Sequence, residues 1–181
     1  NSKFNNNLAA DFKGEVPMTA WGKALYDERR ANDSRDDPDG HCLPDGVPRI
    51  AAAGGLPSRI VQTPAMVVIL HERGVFRQIY MDGRTLQKDL NSTWMGYSTG
   101  AWDGDTLVVK TTGFNDKTWL DDVGHPHSDA MIVTERFRRT DYGHLRLDTT
   151  IEDEKAYTRP WTVTQDLRLD PNGDLYEYVC N

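Results

Sequence analysis

Between Gly113 and Met131 the sequence gathers Asp116, Trp119, Asp121, Asp122, His125, His127 and Asp129. Two imidazoles one residue apart, with carboxylates on both sides, are the residue types that ligate a transition metal or divide general-acid and general-base roles near neutral pH. The spacing argues against the metal. In the cupin pattern His-x-His lies on a strand with a Glu three or four residues on. Here Pro126 separates the histidines, and Glu135 follows His127 by 135 − 127 = 8 residues. No metal is expected, and His125 and His127 are the residues that would hold one. The competing reading is structural: Asp121 and Asp122 cap a turn, His127 or Ser128 starts a helical turn, and the histidines bond to loop backbone.

Other candidates are more scattered. His71 and Glu72 end an aliphatic run, which aims His71 at the mouth of a barrel. Thr134-Glu135-Arg136-Phe137-Arg138-Arg139 looks basic, yet on a strand its charges divide between the two faces. Pairing with Asp148, Glu152 or Asp153 on the next strand is the simpler expectation, and an inward Arg–Glu pair the sharper one. His41 beside Cys42 lacks the geometry of a nucleophile pair. Tyr97, Trp119 and Trp161, with His71, are the side chains best suited to a cavity for an apolar or sugar-like ligand. No nucleophile elbow, phosphate-cradling glycine loop, zincin or EF-hand pattern is present, so no cofactor is expected.

The elements that must position these groups are mostly strands. After an Asn-rich arm over residues 1–16, Pro17 opens an amphipathic segment with Met18, Trp21 and Leu25 on one side, which reads as one helix. A turn-rich stretch over 32–57 reads as a long surface loop. From Arg59 onward, runs of Val, Ile, Tyr, Thr and Trp alternate with Gly- and Asp-containing turns at about ten-residue spacing, which predicts about nine strands. Asp103-Gly104-Asp105 is the strongest hairpin signal. Leu145, Leu147, Thr149 and Ile151 alternate with Arg146, Asp148, Thr150 and Glu152, as a sheet with one wet face requires. Short connections favour an antiparallel meander closed into an up-and-down, lipocalin-like barrel with one N-terminal helix, ahead of a two-sheet sandwich. Residues 17–181 make one such domain.

Size and charge bound the function. A chain of 181 residues fits one domain of roughly 100–200 residues. Its 21 basic against 28 acidic side chains give −7, with no basic block for nucleic acid or anionic lipid. The longest apolar run falls far short of the roughly 20 residues of a membrane helix, so no membrane span is expected. The two cysteines, Cys42 and Cys180, are either unrelated buried thiols or a bridge joining the two ends of the domain, with the bridge favoured. Closing that loop would stabilise the fold by roughly 5 kcal/mol in the chain-entropy model. The chain opens at Asn1 rather than Met, as a mature secreted product does.

Several strings are distinctive: Trp102-Asp103-Gly104-Asp105-Thr106-Leu107-Val108-Val109, Thr112-Gly113-Phe114-Asn115-Asp116-Lys117-Thr118-Trp119-Leu120-Asp121, His125-Pro126-His127-Ser128, Thr134-Glu135-Arg136-Phe137 and Tyr157-Thr158-Arg159-Pro160-Trp161. From about Pro17 to Cys180 the chain resembles a large family of signal-peptide-bearing proteins of soil and sediment bacteria that has no established activity. The resemblance implies export, to the periplasm or beyond, and supports pairing Cys42 with Cys180. It carries over no catalytic residue. The functional expectation is a non-catalytic β-barrel that binds a small molecule or docks as an extrinsic accessory subunit on a membrane-associated protein assembly. The alternative is a hydrolase, lyase or isomerase acting on a small or carbohydrate-like substrate through His125, His127, Asp121, Asp122 or Glu135.

Overall fold

Period-two alternation along the second half of the chain builds one sheet. Its strands are β1 (Ser58–Gln62), β2 (Met66–His71), β3 (Phe76–Tyr80), β4 (Tyr97–Asp103), β5 (Thr106–Thr112), β6 (Ile132–Arg139), β7 (His144–Glu152) and β8 (Trp161–Arg168). The structure, a computed structural model, describes residues 7–52, 57–86 and 91–180. Residues 1–6 of the predicted arm and 53–56 of the predicted loop lie outside them. The eight strands follow one another in sequence order and curl into a half-barrel, with β1 and β8 as its edges. The fold is therefore mainly β and barrel-like with one N-terminal helix, and a single sheet replaces the two of a sandwich.

Two details depart from the uniform meander. The β3–β4 pair is parallel, Ile79 facing Ser98 and Tyr80 facing Thr99. The intervening chain, residues 81–96, is long enough for the crossover that parallel pairing requires. The predicted ninth strand, 175–180, has no ladder. That segment runs from β8 towards the β1–β2 edge and meets it through side chains, as described below. The Asp-Gly hairpin is present, joining β4 to β5 with Gly104 at φ +61°.

The α-helix α1 spans Ala20–Ala31. Thr19 caps it, its hydroxyl accepting from the Gly22 N–H at 3.1 Å. Of the predicted Met18–Trp21–Leu25 stripe, Met18 packs against the larger core and Leu25 is half-buried, but Trp21 is 47% exposed. Gly22 is buried instead. A Cβ there would stand 2.4 Å from the Ala156 carbonyl oxygen, so close approach to Ala156 turns the helix toward residues 22, 26 and 29.

Residues 32–57 also differ from a solvated loop. A 3₁₀ turn (Pro38–His41) and a short helix α2 (Arg49–Ala52) lie within them, and Asp45, Val47, Arg49 and Ile50 are buried. In the described part of the arm, Leu8 is buried and Phe12 meets Trp161 edge-on at 5.6 Å.

The concave side of the sheet is packed. One cluster joins Val47, Ile50, Phe114, Leu120, Met131, Val133, Ile151, Tyr157 and Trp161, and the other Val67, Ile69, Ile79, Leu107, Val109, Phe137 and Leu147. Each large side chain so buried contributes about 1.5–3 kcal/mol relative to exposure. Between the clusters runs a polar belt, because Glu135 sits between Val133 and Phe137 on β6, and Thr149 between Leu147 and Ile151 on β7.

Candidate functional site

The 113–131 loop folds inward. Asp121 is buried and its carboxylate takes four donors: Oδ2 accepts from the Leu8 N–H at 3.0 Å and pairs with His125 Nδ1 at 2.6 Å, while Oδ1 accepts from the N–H groups of Val123 at 3.2 Å and His125 at 3.1 Å. The His125 ring stacks on Tyr26 of α1, with centroids 4.7 Å apart. His127 is equally committed. Its Nδ1 donates to the Ser128 carbonyl at 3.0 Å, which leaves Nε2 to accept from the Thr118 hydroxyl at 2.5 Å. Burial lowers this ring from the usual histidine pKa and so favours its neutral form. Asp153, beyond β7, clamps the loop's end by accepting from the Ser128 N–H at 2.5 Å and its hydroxyl at 2.8 Å. Trp119 is buried under the Arg29 guanidinium, 4.4 Å from its ring. Burial lowers Arg29 to about 10.

The belt across the half-barrel is a second polar group. Arg77 of β3 holds Glu135 of β6 through both nitrogens, at 3.1 and 2.5 Å, and their side chains are 2% and 0% exposed. Arg77 also donates to Ser98 at 3.1 Å and Thr111 at 2.8 Å. This is the inward Arg–Glu pair, but its arginine comes from three strands away rather than from Arg136 or Arg138. Those two reach Asp103 at 2.8 Å and Asp105 at 3.7 Å on the β4–β5 hairpin, instead of Asp148, Glu152 or Asp153. Nearby, His71 accepts or donates at Nδ1 with Ser58 at 2.8 Å. Among the described residues its buried Nε2 has no partner, and neither has the Thr149 hydroxyl. Burial, with Arg77 adding to it, pushes His71 down to about 4.

The third group surrounds an opening. A pocket of about 160 Å³ is lined by Asp39, Asp45, Arg73 and Tyr178, with the Cys42–Cys180 disulfide in its wall and Leu43, Pro44, Ile50 and Val75 as apolar surface. The bridge therefore forms, as the sequence favours. Arg49, buried at the base of the 32–57 segment, donates to Asp37 at 2.7 and 2.8 Å, contacts Asp122, and stands 3.7 Å from Asp45. Arg73 pairs with Asp39 and lies 3.4 Å from Asp45. Among the described residues, the carboxylates of Asp37, Asp39, Asp45 and Asp122 thus surround two guanidinium groups. Asp45 fares worst. Its side chain is 2% exposed, and among the described residues neither Oδ1 nor the Arg49 Nε that faces it at 3.7 Å has a hydrogen-bond partner. Burial raises it to about 6, against the pull of Arg49 and with reinforcement from Asp122 and Asp37.

Asp121, His125 and His127 therefore share one buried loop, Asp122 reaches the pocket cluster through Arg49, and Glu135 belongs to the belt. Of the ligand candidates, Trp119 and Trp161 are buried in or against the larger core, Tyr97 is half-buried at the start of β4, and His71 is buried at the end of β2. None of the four lines the pocket. Among the described residues no three His, Cys, Asp or Glu side chains converge to hold a metal ion, and no helix is long and apolar enough to cross a membrane. Comparison of the chain with protein-family models, with curated proteins and with solved structures finds no match.

Sequence reading missed Asp37, Asp39, Asp45, Arg49 and Arg73. The signal was there in part: Asp45 and Arg49 are four apart, and Cys42 sits among the aspartates. Turn-forming composition masked it.

Proposed function

We propose that the chain is an exported, non-catalytic binding protein whose pocket beside the disulfide receives a small organic cation. One observation carries the reading: Asp45 is a buried carboxylate on the pocket wall, and among the described residues its Oδ1 has no donor nearer than Arg49 Nε at 3.7 Å, beyond hydrogen-bond reach. A bound ammonium or guanidinium group would pair with this carboxylate. At about 160 Å³ the pocket is smaller than the roughly 300–1,000 Å³ of drug-sized sites, which favours a compact head group. Export is supported by the disulfide, a bond of oxidising compartments.

Calorimetric titration with agmatine and putrescine, against acetate and glucose, tests this. The expected result is binding of the two cations alone, weakened about tenfold or more by Asp45→Asn, the loss of one hydrogen bond to a charged group. Equal binding of acetate, or of none of the four, overturns it.

A second reading, docking as an extrinsic subunit, is favoured by the outer face of the β1–β3 edge. There Leu70 pairs across strands with Phe76, which is 59% exposed, and Val61 lies on the same face of the neighbouring edge strand. If this face docks, Phe76→Glu releases the native protein from its envelope fraction in sedimentation. Unchanged sedimentation excludes that face.

A further inference from the structure

We infer that Cys42–Cys180 is a thiol–disulfide exchange site and that the segment 169–180 is a removable wall of the pocket, a regulation that rests on the binding role proposed above.

Both cysteines are exposed, so a reductant reaches them without unfolding the chain. From Leu169 to Cys180 every residue but Leu175 is exposed, and neither hydrophobic cluster draws a residue from beyond Leu167. The core does not need this strap. What holds it is sparse. Leu169 donates its N–H to the Gly143 carbonyl at 2.8 Å, and the Tyr176 N–H reaches Glu72 at 3.3 Å. Arg59 and Asp174 pair at 2.7 Å with side chains 55% and 68% exposed, and Arg73 lies 5.6 Å from the Tyr178 ring centroid. Exposed pairs of this kind contribute little. Among the described residues the disulfide is the one strong link between the strap and the rest of the fold.

The strap brings Tyr178 and Cys180 to the pocket, while Asp39, Cys42 and Asp45 belong to the segment that Arg49 anchors. Breaking the S–S bond therefore removes one wall and leaves the other. The reaction needs a dithiol. One of its thiolates attacks a sulfur of the bridge, forming a mixed disulfide, and the other cysteine leaves as a thiolate that takes up a proton. The second thiol of the reductant, losing its proton, then displaces the remaining cysteine, giving two Cys thiols and the oxidised reductant. Exposed disulfides are the labile class in such exchange. The oxidised chain carries the complete pocket and the reduced chain half of it.

Hydrogen exchange and agmatine titration on the oxidised protein, on protein reduced by dithiothreitol and alkylated, and on the Cys42→Ser/Cys180→Ser variant test this. The expected result is reduction in native buffer, loss of protection at the Leu169 and Tyr176 amides while β5–β8 stay protected, and at least about tenfold weaker agmatine binding in both bridge-free forms. A bridge that resists dithiothreitol until the chain unfolds, a strap still protected after reduction, or loss of protection through the sheet overturns the inference. So does agmatine affinity unchanged by reduction. Local deprotection with no agmatine binding in any form overturns the cation role and upholds the exchange site.

Discussion

Two acid-rich segments meet where Asp122 contacts Arg49, and they use their carboxylates in opposite ways. In the 113–131 loop Asp121 satisfies four donors, and Asp153 clamps the loop's far end from outside it. In the 37–49 segment Asp45 is as deeply buried, yet one of its oxygens lacks a donor. The same residue type is a keystone in one place and a burden in the other. The difference teaches that a buried carboxylate is informative through its partners rather than its burial. The 113–131 loop holds Asp121 and His127 in hydrogen bonds of its own, whereas the aspartates near the disulfide face guanidinium groups.

Removing the keystone is expected to have the largest effect on this contrast. Asp121→Ala strands the Leu8, Val123 and His125 donors and should cost about 3 kcal/mol in urea unfolding, since orphaned buried donors lose about 1–3 kcal/mol each and water recovers part of this. A cost below about 1 kcal/mol would place Asp121 among the idle carboxylates.

The acid limb of stability comes next. His71 titrates near 4 when folded against 6.5 in the unfolded chain, so between those values the unfolded chain binds more protons and stability falls as pH is lowered. His127 acts in the same direction. Asp45 opposes them: its folded value near 6 lies above its ordinary 3.8, so its contribution improves as pH falls through 6. His71→Gln should remove up to about 3 kcal/mol of the pH dependence between 6.5 and 4, read from unfolding midpoints. An unchanged profile would show that His71 is not held neutral.

Asp45→Asn is expected to leave stability at pH 7 unchanged or to raise it by about 1 kcal/mol, because it relieves an underpaired buried charge. If the proposed site holds, wild type should lose agmatine affinity as pH falls below about 6 and the carboxylate protonates, and Asp45→Asn should abolish that pH dependence. A destabilisation as large as that of Asp121→Ala would erase the difference between the two segments. Smallest of all, Arg136→Ala breaks an exposed pair with Asp103 and should shift stability by no more than about 0.5 kcal/mol.

Much of the sheet was legible because alternation is a local signal. Leu147, Thr149 and Ile151 point inward wherever β7 lies, and the Asp-Gly turn between β4 and β5 declares itself through the backbone freedom of Gly104. The helix was legible as a helix but not in its rotation, since the close approach of Gly22 to Ala156 depends on residues far away in the chain. The loop's candidates were legible as a group. Their roles were not, because His127 is held neutral by burial and committed by Thr118 and the Ser128 carbonyl, none of which the spacing shows.

By itself the sequence determined a mainly β domain with one helix, the places where strands turn, and two cysteines positioned to tie its ends. All of these depend on periodicity, turn residues and count. Only the tertiary structure decided that β3 and β4 run parallel, that Glu135 answers Arg77, and that aspartates from a turn-rich stretch crowd around Arg49 and Arg73. Charge pairing and burial are properties of neighbours in space, and a linear chain specifies those neighbours only once it has folded.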